Sequence, residues 1–366
     1  MRLVAFMLVL GVWVGFADDI SLFGSGNRGM GGAGLAIIRD PSSQQFVNPA
    51  AAAYNRSFRL GAGNFDLQAE GAGFRRLLDE ITIKRGSPVD LSQMGRVSRL
   101  FASEDSRIFL TGDLGLTVSG VTVSAGVVGE VRFLPNADLR AWAAQSGNPA
   151  DLGNATFPNP RGDSIALTAV SLPDVTAGIA MPAGSGNMAL GARVRAMRVF
   201  YAHYIATTAD LQAGSGGTLA PEMGGNRFLE KSTTSVDFGA LFHPNGDDSI
   251  AYAIVVENLI EPDANFAATD TQGQAINVFP FKRSVHLGSA MRLPTGAWLA
   301  ADLIDVGNET QRQELRLGVE QPFGFGLYGR AGYASKTGWT VGLGAFGFNL
   351  AFAKKLPFQV SRSLRF

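Results

Sequence analysis

No cysteine occurs among the 366 residues. That excludes disulfides, thiolate metal sites and lipid attachment through an N-terminal cysteine. Charge is scarce as well: Asp, Glu, Lys and Arg together make 17% of the chain and cancel to a formal net charge of zero. Such a balance gives no electrostatic reason to expect nucleic acid or an acidic membrane surface as a partner. Histidine is limited to His203, His243 and His286, no two at ligand spacing, so neither a metal nor a cofactor is expected. His286 is near Ser289, but no strained G-x-S-x-G turn accompanies them and no hydrolytic enzyme is expected. Long apolar runs are missing except at the start. There, after Met1-Arg2, "LVAFMLVLGVWVGFA" gives about 15 apolar residues, short of the roughly 20 that a spanning helix needs. One positive charge, a short apolar core and Gly15-Phe16-Ala17 predict a secretory signal over 1–17, with the mature chain beginning at Asp18. The alternative is an uncleaved anchor.

What the chain does have is glycine, 46 residues of it, and 25 phenylalanines. From about residue 107 the sequence alternates with period two. In "QELRLGVEQ", Leu315, Leu317 and Val319 point one way while Glu314, Arg316, Gly318 and Glu320 point the other. "SIAYAIVVEN", "GWTVGLGAF" and "RIFLTGDLGLTV" repeat the pattern. This is the signature of strands with one apolar and one polar or small face. Alternation bounded by turn residues marks about fifteen candidates. They lie near 58–67, 107–118, 121–133, 162–172, 174–182, 187–205, 232–243, 249–259, 283–293, 296–305, 312–321, 325–334, 338–345, 347–354 and 358–366. Closed single-chain barrels use an even number, so about 14 strands are expected.

The connections are unequal. Helical spacing appears at 73–81, 90–105 and 136–147, and the stretches 209–232 and 261–280 read as long polar connections. Near the C-terminus, "PTG", "PFGFG" and "SKTG" are tight-turn chemistry instead. The expected fold is all-β: a single closed antiparallel transmembrane barrel over 57–366, with an N-terminal glycine-rich segment over 18–56 and a few short helices in loops.

A soluble sandwich alternates too. The signal, the strand number and the end of the chain favour a membrane instead. "FQVSRSLRF" sets Phe358, Val360, Leu364 and Phe366 on one face, broken by Arg362. If the apolar faces meet lipid, the opposite faces line the lumen. Those carry Asp113, Glu130, Arg193, Arg195, Asp237, Glu257, Asp302, Glu314, Arg316, Glu320 and Arg330. An ionised group cannot sit cheaply in hydrocarbon, so inward placement follows physically. These charges either fill and neutralise the interior or form a selectivity surface along a path. Phe200-Tyr201, Tyr204, Phe266 and Phe279-Pro280-Phe281 read either as an interfacial aromatic girdle or as an access groove for an apolar solute.

The opening "GSGNRGMGGAG" satisfies G-x-G-x-x-G through Gly24, Gly26 and Gly29. A dinucleotide turn needs a strand before it, a helix after it and a parallel βαβ rhythm, and none is present. The run continues as Arg28-Gly29-Met30-Gly31-Gly32-Ala33, then Asp40-Pro41-Ser42, then Asn48-Pro49-Ala50. In that order these residues resemble the N-terminal segment of the FadL-type outer-membrane barrel superfamily, in particular its PorV-like and conjugal-transfer TraF-like branch. Ala51 stands where glycine is usual in the motif. "LRLGVEQPFGFGLYGRAGYASKTGWTVGLGAFGFNLAFA" looks like the superfamily's paired strands, whereas 134–230 carries no such resemblance.

The resemblance implies a hatch: Arg28, Gly29, Met30, Gly31, Gly32, Asp40, Asn48, Pro49 and Ala50 would fold into the barrel as a plug. A second reading of the same residues makes Asn48 an N-cap, with Pro49 at the first helical position before the alanines. The terminal strand ending in Phe366 resembles the one by which the barrel-assembly machinery recognises its clients. The resemblance further implies outer-membrane lipid as surroundings and passive transport of small hydrophobic molecules. The alternative is a PorV-like, non-transporting barrel that shuttles or anchors secreted proteins at the cell surface.

Overall fold

In the computed structural model the described residues are 30, 32–37, 47–54, 58–71, 106–135, 140, 144, 163–171, 174–184, 186–207, 229–247, 249–263, 266–269, 275–278, 282–309, 313–346, 348–353 and 358–362. Their strands are β1 (Arg59–Glu70), β2 (Ser106–Val118), β3 (Val121–Pro135), β4 (Asp163–Ser171), β5 (Asp174–Ala183) and β6 (Met188–Thr207). There follow β7 (Leu229–Phe242), β8 (Ile250–Ile260), β9 (Phe266–Thr269), β10 (Ala275–Val278), β11 (Ser284–Arg292) and β12 (Trp298–Ile304). The last five are β13 (Glu314–Gly324), β14 (Leu327–Ala334), β15 (Gly338–Ala345), β16 (Phe348–Ala353) and β17 (Phe358–Arg362).

The antiparallel pairings run in a ring. β1 pairs with both β2 and β17, β2 continues to β3, and the chain of neighbours returns from β6 through β7, β8 and β11 to β17. β4 and β5 share one place in that ring. Ser171 faces Gly129 and Phe200, while Asp174 faces Gly126 and Met197, so a step of three along this strand is a step of three on both partners. With these two counted as one strand position, the ring has 14 positions, an even number as closure of such barrels requires.

All fifteen alternating segments are strands within a few residues of their expected bounds. The expectation for 261–280 needs correction. It is not irregular throughout, because β9 and β10 pair as a separate hairpin. The short phase of Phe266-Ala267-Ala268 gave too little alternation to register as a strand. The helical stretches expected at 73–81, 90–105 and 136–147 lie outside the described residues, apart from Arg140 and Ala144, which are helical.

The two ends of the barrel differ. At one end the links are tight: Ser119-Gly120 and Phe325-Gly326 each put both central residues at positive φ, the type I′ geometry whose twist suits a two-residue hairpin. At the other end lie the long links, including 71–105, 136–162, 208–228 and 261–283.

The alternation has a physical outcome. Leu114, Leu116, Val123, Ile254, Leu317 and Val341 are exposed, and so are their counterparts on most other strands. A soluble protein does not leave apolar rows exposed around its whole circumference. A barrel in lipid must. Trp339 and Tyr333 mark the long-link edge of this belt, packed edge to face at 5.3 Å. Phe323, Phe325, Phe346 and Phe348 mark the tight-turn edge. Such aromatic girdles bracket a transmembrane barrel's apolar band.

Candidate functional site

The inner face of the ring is where the sequence departs from simple filling. Neighbouring strands place glycine or alanine inward in opposed pairs: Gly191 on β6 faces Gly239 on β7, Ala253 on β8 faces Gly288 on β11, and Ala300 on β12 faces Gly318 on β13. Against this small-residue wall lies the N-terminal segment. A Cβ added to Gly191 would sit 2.4 Å from the carbonyl carbon of Pro49, and one on Gly239 would sit 2.1 Å from Asn48 Oδ1. At Gly318 it would meet the Met30 carbonyl at 2.4 Å. Only a residue without a side chain permits such approach.

Asn48 is fully buried and works in two directions. Its Oδ1 accepts from the Ala50 N–H at 3.0 Å, and its Nδ2 donates to the Ala240 carbonyl on β7 at 3.2 Å. Pro49–Tyr54 follows as a 3₁₀ helix, opened by an Ala51 N–H bond to the Asn48 carbonyl at 3.0 Å. The capping reading of Asn48-Pro49-Ala50 holds: the asparagine turns the chain into a short helix, and its amide ties that helix to the wall. Pro49 suits the first position, where its missing N–H costs nothing. Tyr54 stacks on His243 at 5.3 Å, and Ala50, Ala51, Ala52 and Ala53 are buried.

Residues 30 and 32–37 lie elsewhere on the same inner face. Gly34 and Leu35 donate their N–H groups to Asp302 Oδ2 on β12 at 2.6 and 3.0 Å. The Cδ, Nε and Cζ atoms of Arg316 lie over Gly32, whose φ is +85°. Met30, Leu35, Ile37 and Val47 join Leu241, Val255, Trp298 and Ile304 in one apolar cluster. Among the described residues half of the barrel's apolar core thus comes from the N-terminal segment.

The expected inward charges are buried and mostly matched across neighbouring strands. Arg193 faces Asp237 in register, Asp302 faces Arg316, and Glu320 faces Arg330. Opposite charges at directly opposed positions attract, and in a low-dielectric interior they offset each other's desolvation. Asp237 takes Arg193 Nε at 2.7 Å and Arg195 Nη2 at 2.8 Å. Arg195 also reaches Asn258 Oδ1 at 2.7 Å and Ser235 Oγ at 3.2 Å. Arg316 Nε donates to Glu314 at 2.7 Å. Arg330 bonds Glu320 and donates to Asn349 Oδ1 at 2.7 Å.

Asp113 and Glu130 lie on β2 and β3, with side chains outside the described set. Arg28, Gly29, Gly31, Asp40 and Phe366, and the signal expected over 1–17, also lie outside the described residues, whereas Gly32 is buried.

Several inward polar groups were not singled out from the sequence. Asn258 sits at φ 51°, where the β7–β8 register shifts between Val236 and Phe238. This irregularity turns both Glu257 and Asn258 inward and lets the Asn258 N–H donate to Asp237 at 2.9 Å. Asp66 and Gln68 bond each other on β1 at 3.3 Å.

His286 needs a correction. It does not pair with Ser289, whose Oγ donates to the Ala301 carbonyl at 3.3 Å. Three residues along a strand lie on opposite faces. The imidazole Nδ1 accepts the Asp305 N–H at 3.0 Å, so the neutral ring carries its proton on Nε2. That nitrogen is 3.1 Å from Ser284 Oγ and 3.5 Å from Glu257 Oε2. A protonated Nε2 cannot take the serine proton, so Ser284 and His286 are not arranged as a nucleophile and its base.

No family model matches the sequence, and no curated protein does. Solved structures do match in fold. The Ralstonia pickettii toluene transporter TbuX aligns at 13% identity over 95% of this chain and 98% of its own, with a TM-score of 0.53. The Pseudomonas putida toluene transporter TodX aligns at 12% identity over 95% and 97%, TM-score 0.52. The CymD monoaromatic hydrocarbon channel aligns at 14% identity over 95% and 98%, TM-score 0.50. At such identities the likeness is one of fold. It supports the expected barrel fold of the FadL type. The narrower PorV-like and TraF-like branch finds no support in it.

Proposed function

We propose that the chain is an outer-membrane channel that passes small hydrophobic molecules passively, with its N-terminal segment as the hatch. The observation that carries this reading is the fold likeness to three hydrocarbon channels, over 95% of the chain in each case. Residues of the glycine-rich segment seated against the inner wall support it. So does the belt of exposed apolar side chains, which suits lipid surroundings. In this proposal residues 1–17 direct export, the barrel-assembly machinery inserts the chain by its last strand, and no chemical step is catalysed.

The interior gives the proposal a physical form. Paired charges neutralise much of the wall and offer an apolar solute little. The apolar surface inside belongs chiefly to the segment's Met30, Leu35, Ile37 and Val47 and the wall residues they cover. Displacing that segment exposes an apolar lining on which a hydrophobic molecule gains about 25 cal/mol per Å² of surface removed from water.

The test uses purified protein in vesicles with a lipopolysaccharide outer leaflet, because bare phospholipid lets apolar dyes through unaided. Uptake of a panel of hydrophobic dyes is compared for empty vesicles, the full chain and a chain lacking 18–53. The full chain is expected to speed uptake several-fold, and the deletion is expected to change both rate and selectivity. Equal uptake by all three samples would overturn the proposal and favour a platform for secreted proteins.

A further inference from the structure

Two separate attachments hold the N-terminal segment to the wall, and they differ in kind. The 47–54 attachment is a wedge. Its polar tie runs from Asn48 Nδ2 to a backbone carbonyl of β7, and Pro49 fits against Gly191 and Gly239. Neither partner is an ionisable side chain. At the 32–37 attachment the Gly34 and Leu35 N–H groups converge on one oxygen of one carboxylate, Asp302 Oδ2.

That carboxylate is built into the wall for this purpose. Asp302 is 1% exposed. A Cβ added to Gly288, its neighbour across the β11–β12 pairing, would lie 2.6 Å from Leu35 Cβ and 2.8 Å from Asp302 Oδ1. The glycine thus clears space for both halves of the contact. Among the described residues, the second oxygen, Oδ1, has no hydrogen-bond partner. Arg316 faces Asp302 in register across the β12–β13 pairing, but its Nε donates to Glu314. An ionised carboxylate buried with half its acceptors unfilled depends on the N–H groups that it does receive. Two adjacent backbone N–H groups aimed at one anion are in turn a strong, charge-assisted donor pair. Each side needs the other, and removing either leaves a buried group unsatisfied.

We propose that Asp302 is a latch for the hatch and that the segment opens in two stages. Residues 32–37 leave the β11–β13 wall together when the Asp302 contact breaks, while Asn48–Tyr54 remains wedged on β5–β7. The first stage uncovers the apolar cluster around Val255 and Ile304 without dislodging the rest. This inference rests on the reading of the segment as a hatch, but not on what passes through the barrel.

The experiment is hydrogen exchange, read by mass spectrometry, on the full chain in lipid nanodiscs: wild type, Asp302→Ala and Asp302→Asn. The alanine variant removes the acceptor. The asparagine variant keeps its volume and an oxygen but loses the charge, and it decides the matter if the alanine chain does not fold. Barrel strand amides in β11–β13 report folding in each sample. Amides of 32–37 are expected to exchange at least tenfold faster in both variants, with the asparagine effect the smaller. Amides of 50–54 are expected to stay within twofold of wild type. Unchanged exchange at 32–37 would overturn the latch. Equal acceleration of both stretches, with the barrel amides still protected, would overturn the two stages. Exchange needs no solute, so a negative transport result leaves this test standing, and a negative exchange result leaves transport standing.

Discussion

A single methyl group at position 239 is expected to unseat the wedge of the N-terminal segment. In Gly239→Ala the new Cβ would lie 2.1 Å from Asn48 Oδ1, 2.9 Å from Pro49 Cδ and 3.1 Å from the Ala50 nitrogen. The asparagine cannot swing aside freely, because its Oδ1 holds the Ala50 N–H and its Nδ2 holds the Ala240 carbonyl. Overpacking costs about 1–3 kcal/mol, and each lost hydrogen bond adds roughly 1 kcal/mol. The expected loss is therefore about 2–4 kcal/mol, read as a lower urea midpoint for protease cleavage within 47–54. In an Asn48→Ala background the same glycine substitution is expected to cost less, with a coupling of about 1 kcal/mol or more. Strictly additive effects would mean that the wedge does not rest on Gly239.

The second large effect is expected at Asp237. Both arginines beside it are buried, with side chains 5% and 1% exposed, and both end on its carboxylate at 2.7 and 2.8 Å. Asp237→Ala leaves two guanidinium groups in the interior without that counter-charge, a change that typically costs about 3–5 kcal/mol. Asp237→Asn keeps the shape and is expected to lose nearly as much, because the charge is what the arginines need. Replacing Arg193, Arg195 and Asp237 together by Met or Leu is expected to recover most of the loss, since the desolvation cost disappears with the charges. Urea titration of the barrel in lipid vesicles measures all three. A stability unchanged in Asp237→Ala would mean that water reaches the cluster and that these charges line an open path instead of filling the wall.

The strands were legible because each is a local pattern: alternation over eight or more residues identifies its own faces. The number of strand positions was less so. That 163–171 and 174–183 occupy one place depends on the register of Ser171 and Asp174 against β3 and β6, a property of partners far along the chain. The hairpin of β9 and β10 has strands of four residues each, too short to show a period. Inward parity identified Arg193, Asp237, Asp302 and Arg316, since each is separated by an even number of residues from other inward positions on its strand. It missed Asn258 because a left-handed residue breaks the period where it matters. The meaning of the inward glycines was hidden for another reason. Gly239 and Gly288 look alike in sequence, and only the fold shows that one receives Asn48 and the other Leu35. The Asp302 latch joins residues 267 and 268 positions apart, a distance over which a lone sequence carries no pairing information.

The account depends on apolar side chains facing acyl chains while their neighbours face inward, and spin labels on β15 test it directly. The chain has no cysteine, so single-cysteine variants can be labelled without background. Thr340 is 4% exposed, whereas Val341 and Leu343 are 57% and 65% exposed. In lipid vesicles, labels at 341 and 343 are expected to collide readily with dissolved oxygen and poorly with a water-soluble nickel chelate. A label at 340 is expected to be shielded from oxygen. Labels at 341 and 343 that are shielded from oxygen, or collide with the nickel chelate as freely as a soluble loop does, would contradict the barrel's placement in a membrane.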